Sequence, residues 1–254
     1  MAKIVEVRNV KIGEGIPKIC VPIVGKTNNE ILVEAKSIKK LDIDLVEWRV
    51  DYYENVKDIE KVKEILVELR KELCEIPILF TFRSLKEGGE KAVSVEYYAE
   101  LNKEIAETGM IDLIDIELFI GDDIVNSIVE FAHKRSVKVV MSNHDFIKTP
   151  EKEEIIRRLC MMQDLNADLP KIAVMPNTTA DVLTLLSATD EMVNKYAKTP
   201  IITMSMAGIG VISRIACEIF GSALTFGAIK QASAPGQLEV NDLNSILKIL
   251  HYNK

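Results

Sequence analysis

Short runs of apolar and β-branched residues recur along the chain at a spacing of roughly 30 residues, which is typical of strands joined by helices. Charged segments separate these runs. Eight runs are candidate strands: KICVPIVG from residue 18, LDIDLVEWRVD from 41, IPILFTFR from 76, MIDLIDIEL from 110, VKVVMSNHD from 137, LPKIAVMP from 169, PIITMSM from 200 and ALTFG from 223.

The segments between the runs have helical spacing. In ENVKDIEKVKEILVELRKEL the apolar residues form one stripe, made of Val56, Ile59, Val62, Ile65, Leu66 and Leu69. Alternating strands and helices favour a parallel sheet, because parallel neighbours need a crossover connection. Eight such units in 254 residues predict an α/β fold, a closed (β/α)8 TIM barrel, in a single domain spanning 1–254. An open doubly wound sheet is the alternative, but GKTNNE after the first strand lacks its glycine fingerprint.

Two further features complete the predicted fold. The N-terminal MAKIVEVRNVKIGEG reads as two short strands around a turn, a β-hairpin that would close the bottom of the barrel. The cysteines, Cys20, Cys74, Cys160 and Cys217, are far apart and without metal-ligand spacing, so we expect buried, reduced thiols and no metal site.

Composition narrows the class of protein. With 48% hydrophobic and 28% charged residues the chain should fold. A net charge of -7 with scattered basic residues argues against a nucleic-acid partner. The chain has no signal segment and no apolar run of about 18 residues, so we expect a cytoplasmic protein that does not interact with membranes.

Polar residues share one face of several predicted strands, since side chains two apart point the same way. If the opposite face packs on the helices, these residues line the barrel near its C-terminal mouth, where barrel active sites lie. Solvation or salt bridging would explain any one of them, but not the recurrence of charge inside apolar strands. The sets are Glu47, Arg49 and Asp51, Thr81 with Arg83, Asp115 with Glu117, Ser142 with His144, and Thr203 with Ser205.

One histidine and one lysine are candidates for chemistry. His144 ends a predicted strand at the mouth, and an unperturbed imidazole pKa near 6.5 suits proton transfer. His133 falls at a basic helix end, where we expect a surface or helix-dipole role, and His251 falls near the C-terminus, where we expect it to be exposed. Lys171 lies in the apolar run LPKIAVMP, where burial would favour the neutral amine that forms Schiff bases. Snorkelling from the lower end of the strand is the alternative reading of Lys171.

Several motifs together resemble the type I 3-dehydroquinate dehydratase family, the Schiff-base-forming enzymes of the shikimate pathway of aromatic amino acid biosynthesis. The similarity covers essentially the whole chain, and the motifs occur in the family's order. They are RNVKIGEGIPKI, EWRVD, FTFRSLKEGGE, MSNHDF, PKIAVMP, SMAGIGVISR and FGAIKQASAPGQLEVNDL.

The resemblance implies a lyase that converts 3-dehydroquinate to 3-dehydroshikimate and water by syn elimination. Lys171 would form the Schiff base, His144 would be the general acid and base, and Glu87 would orient His144. It also implies a homodimer and no cofactor. Pro22, often serine in the family, and the loop 208–210 depart from its pattern. The implied substrate-binding residues are the carboxylate clamp Arg214, the hydroxyl-binding Glu47, Arg49 and Arg83, and the lid residues Ser233 and Gln237.

Two other functions compete with this one. A class I aldolase-type barrel also uses a strand lysine, but it would carry a glycine-rich phosphate loop where this chain has Arg214 and an Ala-Pro-Gly-Gln segment. A catalytically silent barrel that binds a hydroxy acid would have lost Lys171, His144 or Glu87, and all three are present.

Overall fold

A computed structural model describes residues 3–229 and 234–253. Its central feature is a curled parallel sheet in which the first seven of the eight predicted strands pair in chain order. The first and eighth of the predicted strands also pair with each other. The strands are β1 Val5–Val7, β2 Val10–Ile12, β3 Lys18–Ile23, β4 Leu45–Arg49, β5 Ile78–Thr81, β6 Leu113–Glu117, β7 Lys138–Asp145, β8 Leu169–Val174, β9 Ile202–Ser205, β10 Leu224–Ala228 and β11 Leu238–Glu239.

The ring of strands from β3 to β10 is completed between β9 and β10. There an isolated parallel bridge joins Ile201 to Ser222, and the backbone N–H of Ala223 donates to the carbonyl of Ile201 at 2.9 Å. The predicted TIM barrel is thereby confirmed.

Helices follow the strands and cover the outside of the ring. The helix α2 has the predicted stripe: Val62, Ile65, Leu66 and Leu69 are buried. It begins at Ile59 because the side chain of Asp58 caps it, so Val56 lies before the helix. The helices are α1 Asn28–Ile38, α2 Ile59–Leu73, α3 Val95–Glu107, α4 Asp122–His133, α5 Lys152–Asp164, α6 Thr179–Lys195, α7 Ile212–Ile215, α8 Cys217–Phe220 and α9 Val240–Tyr252.

The N-terminal hairpin plugs the bottom of the barrel, as predicted. The strands β1 and β2 pair antiparallel, and their alternate side chains are buried. These side chains pack against the lower interior layer of the barrel, which is entirely apolar. The packed residues are Val5, Val7, Val10, Ile12, Cys20, Leu45, Leu79, Leu113, Val140 and Leu169.

The predicted inward direction of polar side chains is wrong for β9. Met204 packs in the barrel interior, whereas Thr203 points outward and its Oγ1 lies 2.8 Å from Oγ1 of Thr189 on α6. The backbone N–H of Ser205 likewise donates to Ser213 outside the ring. These hydroxyls satisfy buried polar groups between strand and helix, where no polar residue was expected.

Two details, a short strand and the exposure of two cysteines, lie outside the sequence-based expectations. The two-residue strand β11 extends the sheet, pairing Leu238 with Gly227 beyond the stretch of β10 that contacts β3. Cys74 is exposed and Cys160 partly exposed, so only Cys20 and Cys217 are the buried thiols we expected. Within residues 3–229 and 234–253, no helix is long and apolar enough to cross a membrane.

Candidate active site

A cavity opens at the carboxyl ends of the strands, and most of the predicted site residues line it. The apolar part of its wall includes Phe146, Met204, Met206 and Phe226, which sequence reasoning did not select. The predicted residues in its wall are Glu47, Arg49, Arg83, Glu87, His144, Lys171 and Gln237.

Lys171 projects into the barrel from the middle of β8. Its side chain is 4% exposed, and Nζ lies 3.5 Å from Oδ2 of Asp115 and 3.7 Å from Oε1 of Glu47. The ring of Phe226 covers the amine at 4.6 Å from its centroid. The amine therefore does not snorkel to the lower end of the strand. The two carboxylates beside the amine were not expected from the apolar sequence around Lys171.

Glu87 holds the imidazole of His144. Its Oε2 lies 3.0 Å from Nδ1 and also accepts the backbone N–H of His144 at 3.0 Å. A tight loop after β5 brings Glu87 there. A Cβ on Gly89 would lie 1.9 Å from the carbonyl oxygen of Arg83, and Gly88 has a φ of 81°. The Gly-Gly pair thus lets the loop fold back over the barrel mouth.

Burial shifts the pKa of both partners. It raises the pKa of Glu87 from its usual range to about 8, against the attraction of the Arg83 guanidinium. It also lowers the pKa of His144 well below its usual value, with further lowering by Arg83, Lys171 and Arg49. The imidazole is therefore neutral near pH 7, and the pair shares any proton it takes up.

Both terminal nitrogens of Arg83 donate hydrogen bonds to carboxylates. Nη2 donates to Oδ1 of Asp115 at 2.8 Å, and Nη1 donates to Oε1 of Glu117 at 2.9 Å and to Oγ of Ser142 at 2.9 Å. These charge-assisted bonds fix the floor of the cavity. The spacing of Asp115 and Glu117 signalled their shared face, but not that Asp115 would contact the lysine.

Glu47 and Arg49 form the wall beside the lysine. Oε1 of Glu47 accepts the hydroxyl of Thr81 at 3.0 Å. Arg49 binds Asp51 through Nε and Nη2, each at 2.9 Å from a different carboxylate oxygen. The fork-shaped pair keeps the guanidinium at the cavity rim.

Arg214 lies beneath Pro235 rather than in the cavity wall. It is 1% exposed, and within the described part of the chain no carboxylate pairs with it. Burial lowers its pKa to about 10. Nη2 donates to the carbonyl of Pro235 at 3.1 Å, and Nη1 lies 3.6 Å from Sδ of Met204, a cavity residue. A buried cation of this kind favours an anionic ligand.

The predicted lid residues divide between the described and undescribed parts of the chain. Gln237 lines the cavity. Ser233 lies outside the described residues. Between them, Gly236 approaches Ala207 so closely that a Cβ would lie 2.4 Å from the Ala207 carbonyl oxygen. In the described ranges no three His, Cys, Asp or Glu side chains are arranged to hold a metal ion.

Comparison with known proteins gives a consistent result. The family model for type I 3-dehydroquinase matches residues 19–254. The 3-dehydroquinate dehydratase of Clostridium botulinum (strain Eklund 17B / Type B) is 64% identical over 253 residues, covering 100% of both chains. That of Clostridioides difficile (strain 630) is 61% identical, covering 99% of this chain and 98% of its own.

A solved structure is equally similar. The crystal structure of the type I 3-dehydroquinate dehydratase from Clostridium difficile, with covalent modified comenic acid, superposes with a TM-score of 0.98 at 61% identity, covering 100% of each chain.

Proposed function

Because the chain belongs to the type I 3-dehydroquinase family and is thus a 3-dehydroquinate dehydratase, a lyase, we propose that it works by syn elimination through a Schiff base on Lys171. One observation carries this proposal: a buried lysine amine and a histidine held by a buried carboxylate line the same cavity. The chemistry of each step follows from the groups that line it.

The first step forms the imine. Lys171 gives one proton to His144, and its neutral amine attacks the C3 carbonyl of 3-dehydroquinate. The same proton then returns from His144 to the carbinolamine hydroxyl, which leaves as water and gives a protonated imine. The carboxylates of Asp115 and Glu47, at 3.5 and 3.7 Å from Nζ, stabilise the positive charge of this iminium. The iminium withdraws electrons from C2 and makes its proton acidic.

His144 then moves protons on the substrate. Above its pKa of about 8, Glu87 is ionised and accepts Nδ1–H, so Nε2 of His144 carries a lone pair and accepts the C2 proton, giving an enamine. The resulting imidazolium returns a proton to the C1 hydroxyl, which leaves as water. Hydrolysis of the conjugated iminium consumes the water released on condensation and frees 3-dehydroshikimate and Lys171, so one water is formed overall.

The remaining residues would bind the substrate. We assign its carboxylate to Arg214, which would exchange the carbonyl of Pro235 for a charged acceptor. Its hydroxyls would contact Glu47, Arg49 and Arg83 at the wall of the cavity. The lid residues, Ser233 and Gln237, would cover it and exclude water. The reaction uses an amine and an imidazole, and needs no cofactor.

Reductive trapping tests this proposal. Borohydride added together with 3-dehydroquinate should inactivate the enzyme and add one ligand to its intact mass, whereas borohydride alone should do neither. The Clostridium difficile relative was solved with covalent modified comenic acid, which supports a search for a covalent adduct here. Turnover with no trapped adduct would rule out the imine.

We further propose that 1–254 is one domain and that it forms a homodimer. Three exposed isoleucines near α7 and α8, namely Ile209, Ile212 and Ile219, support a self-association face. Light scattering should give twice the monomer mass, and Ile219→Asp should weaken the dimer. Val33→Asp, at an equally exposed apolar position on α1, is the matched control and should not. A wild-type monomer would refute the dimer, and two separate unfolding transitions would refute the single domain.

A further inference from the structure

Glu87 is oriented from two sides by consecutive residues of β7. While Oε2 binds the backbone N–H and Nδ1 of His144, Oε1 accepts a hydrogen bond from Nδ2 of Asn143 at 3.1 Å. His144 faces the barrel interior, so Asn143, its neighbour in the strand, faces the outer helix layer. The carboxylate is therefore held by one inward and one outward side chain, which fixes the plane of its two oxygens.

The amide of Asn143 is itself held in one orientation by a group that can only donate. Nη1 of Arg158, on α5, donates to Oδ1 of Asn143 at 2.8 Å. A guanidinium has no acceptor, so the amide oxygen must face Arg158 and the amide NH2 must face Glu87. Rotating the amide by half a turn would place two N–H groups against the guanidinium and an oxygen against the carboxylate.

Arg158 is in turn fixed by contacts on α5 and at its side. Its Nε donates to Oε1 of Glu154 at 2.7 Å, Asp145 lies 4.0 Å from Nη1, and the guanidinium lies 5.6 Å from the ring of Phe119. Glu154 and Asp145 both oppose its charge, and its connection to Glu87 runs through the hydrogen bonds of Asn143.

We propose that Asn143 and Arg158 are positioning residues that direct the Glu87 carboxylate and thereby set the tautomer of His144. The inference rests on the proposed function, in which Nε2 of His144 must be unprotonated to accept the C2 proton. An ionised Glu87 that accepts Nδ1–H leaves Nε2 free. A protonated Glu87 would donate to Nδ1, move the ring proton to Nε2 and remove the base.

The groups that face Glu87 predict how the pair responds to pH. Besides His144 and Asn143 they are Arg83, at 3.6 Å, with Asp115 and Glu117 beyond it. The hydrogen bond from Asn143 acts to lower the pKa of Glu87, and Glu117 and Asp115 act to raise it. Loss of the Asn143 bond therefore favours protonated Glu87, and the acid limb of the kcat profile should move to higher pH.

Asn143→Ala should lower kcat by about 10- to 100-fold, the cost of one hydrogen bond to a charged group, with little change in KM. Its acid limb should shift to higher pH. Arg158→Met keeps a side chain of similar length on α5 but frees the amide to rotate. Its kcat should fall and its acid limb should move to higher pH, each by less than in Asn143→Ala. Arg158→Lys, which can still donate to Oδ1, should restore part of the loss.

The chain offers a matched control. Arg157 neighbours Arg158 on α5 and binds the same Glu154, at 2.6 Å, but it is more exposed, and its hydrogen bonds go to Glu154 and Met161 rather than to Asn143. Arg157→Met should leave kcat and the pH profile unchanged. A shift as large as that of Arg158→Met would show a general effect of the helix and would overturn the proposal.

A spectroscopic measurement separates positioning from loss of structure. Nitrogen-15 NMR of labelled histidine should show His144 as the Nδ1–H tautomer in the wild type at high pH, and a mixture of tautomers in Asn143→Ala. Should Asn143→Ala not fold, Asn143→Asp, which has the same shape and places a like charge beside Glu87, should move the acid limb further. A folded variant at this position with wild-type kcat, acid limb and tautomer contradicts the proposal.

Trapping distinguishes this inference from the proposed function. With 3-dehydroquinate and borohydride, the Asn143 and Arg158 variants should still form the Lys171 adduct, since only proton transfer is impaired. Absence of an adduct in the wild type would refute the Schiff-base mechanism instead. Variants that lose the adduct while the wild type keeps it would show that Asn143 and Arg158 act on the lysine, which contradicts the role assigned to them.

Discussion

A lysine, a histidine and a carboxylate meet at both ends of the barrel, in very different surroundings. At the lower end, Asp168 lies 2.8 Å from Nε2 of His133 and 3.2 Å from Nζ of Lys138. The histidine and lysine side chains there are 36% and 39% exposed. Burial acts to raise the pKa of Asp168, but hydrogen bonds from His133 and from the Val139 backbone outweigh it, and the pKa is lowered.

The upper set also has a histidine, a lysine and a carboxylate, but the pKa of its carboxylate, Glu87, shifts in the opposite direction. The side chains of His144 and Lys171 are 11% and 4% exposed, and burial raises the pKa of Glu87 to about 8. Water solvates the lower set and leaves ordinary salt bridges. Burial in the cavity leaves the upper set with a neutral imidazole and an amine that is largely shielded from water. Enclosure, and not residue type, therefore separates the chemical site from the structural one.

Replacing the lysines should give the largest contrast between the two ends. Lys171→Ala should lower kcat by roughly 10⁴-fold or more, because it removes the nucleophile. Lys138→Ala should retain wild-type turnover, although it removes a strand lysine paired with Asp168, the residue just before the neighbouring strand β8. Appearance of the conjugated product, followed by absorbance, measures both. Comparable losses would mean that the enclosure of Lys171 is unimportant.

Replacing the histidines should give the next largest contrast. His144→Ala should lower kcat by about 10²- to 10⁴-fold, the usual contribution of general acid-base catalysis. It should still trap an imine slowly, because Lys171 remains. His133→Ala should be close to wild type in single-turnover kinetics. Undiminished turnover by His144→Ala would remove this residue from the mechanism.

Replacing the carboxylates Glu87 and Asp168 should give the smallest contrast between the two ends, a difference in the free energy of unfolding. The pKa of Glu87 lies above its unfolded value, so its ionisation costs stability as pH rises, fully so above about 8. Glu87→Gln should therefore be at least as thermostable as the wild type near pH 9, while losing activity. The pKa of Asp168 is lowered, so its contribution is present at neutral pH and is lost in acid.

Thermal unfolding at several pH values checks the direction in which each carboxylate changes stability. Asp168→Asn should lower the free energy of unfolding by about 1 kcal/mol at neutral pH, a fall of about 2–4 °C in Tm. The deficit should disappear as pH falls through the lowered pKa of Asp168. If Glu87→Gln is the less stable variant, the upper carboxylate is a structural residue like the lower one.

Much of the barrel was predictable because its strands are continuous apolar runs with strong periodicity. Periodicity could not decide which side chains of β9 point into the barrel, because the polar Thr203 and the apolar Met204 fit either side of the ring. The strand β11 was also missed, since Leu238 and Glu239 join the sheet through backbone pairing rather than through an apolar pattern.

The residues of the site could be predicted from the sequence, but the contacts among their side chains could not. Spacing placed polar groups on one face, and the family resemblance selected among them. Neither could show that Asp115 contacts Lys171 or that Arg214 is buried beneath the carbonyl of Pro235, because these contacts join distant parts of the chain. The orientation of Glu87 by Asn143 likewise depends on how a loop and a strand end meet.

Mapping the borohydride-trapped adduct among the lysines shows whether enclosure makes Lys171 the reactive group. After reduction in the presence of 3-dehydroquinate, peptide mass spectrometry should find the ligand on the peptide containing Lys171 alone, with Lys138 unmodified. An adduct on Lys138, or on several lysines with Lys171 unmodified, would contradict the claim that enclosure at the upper end makes one lysine the reactive group.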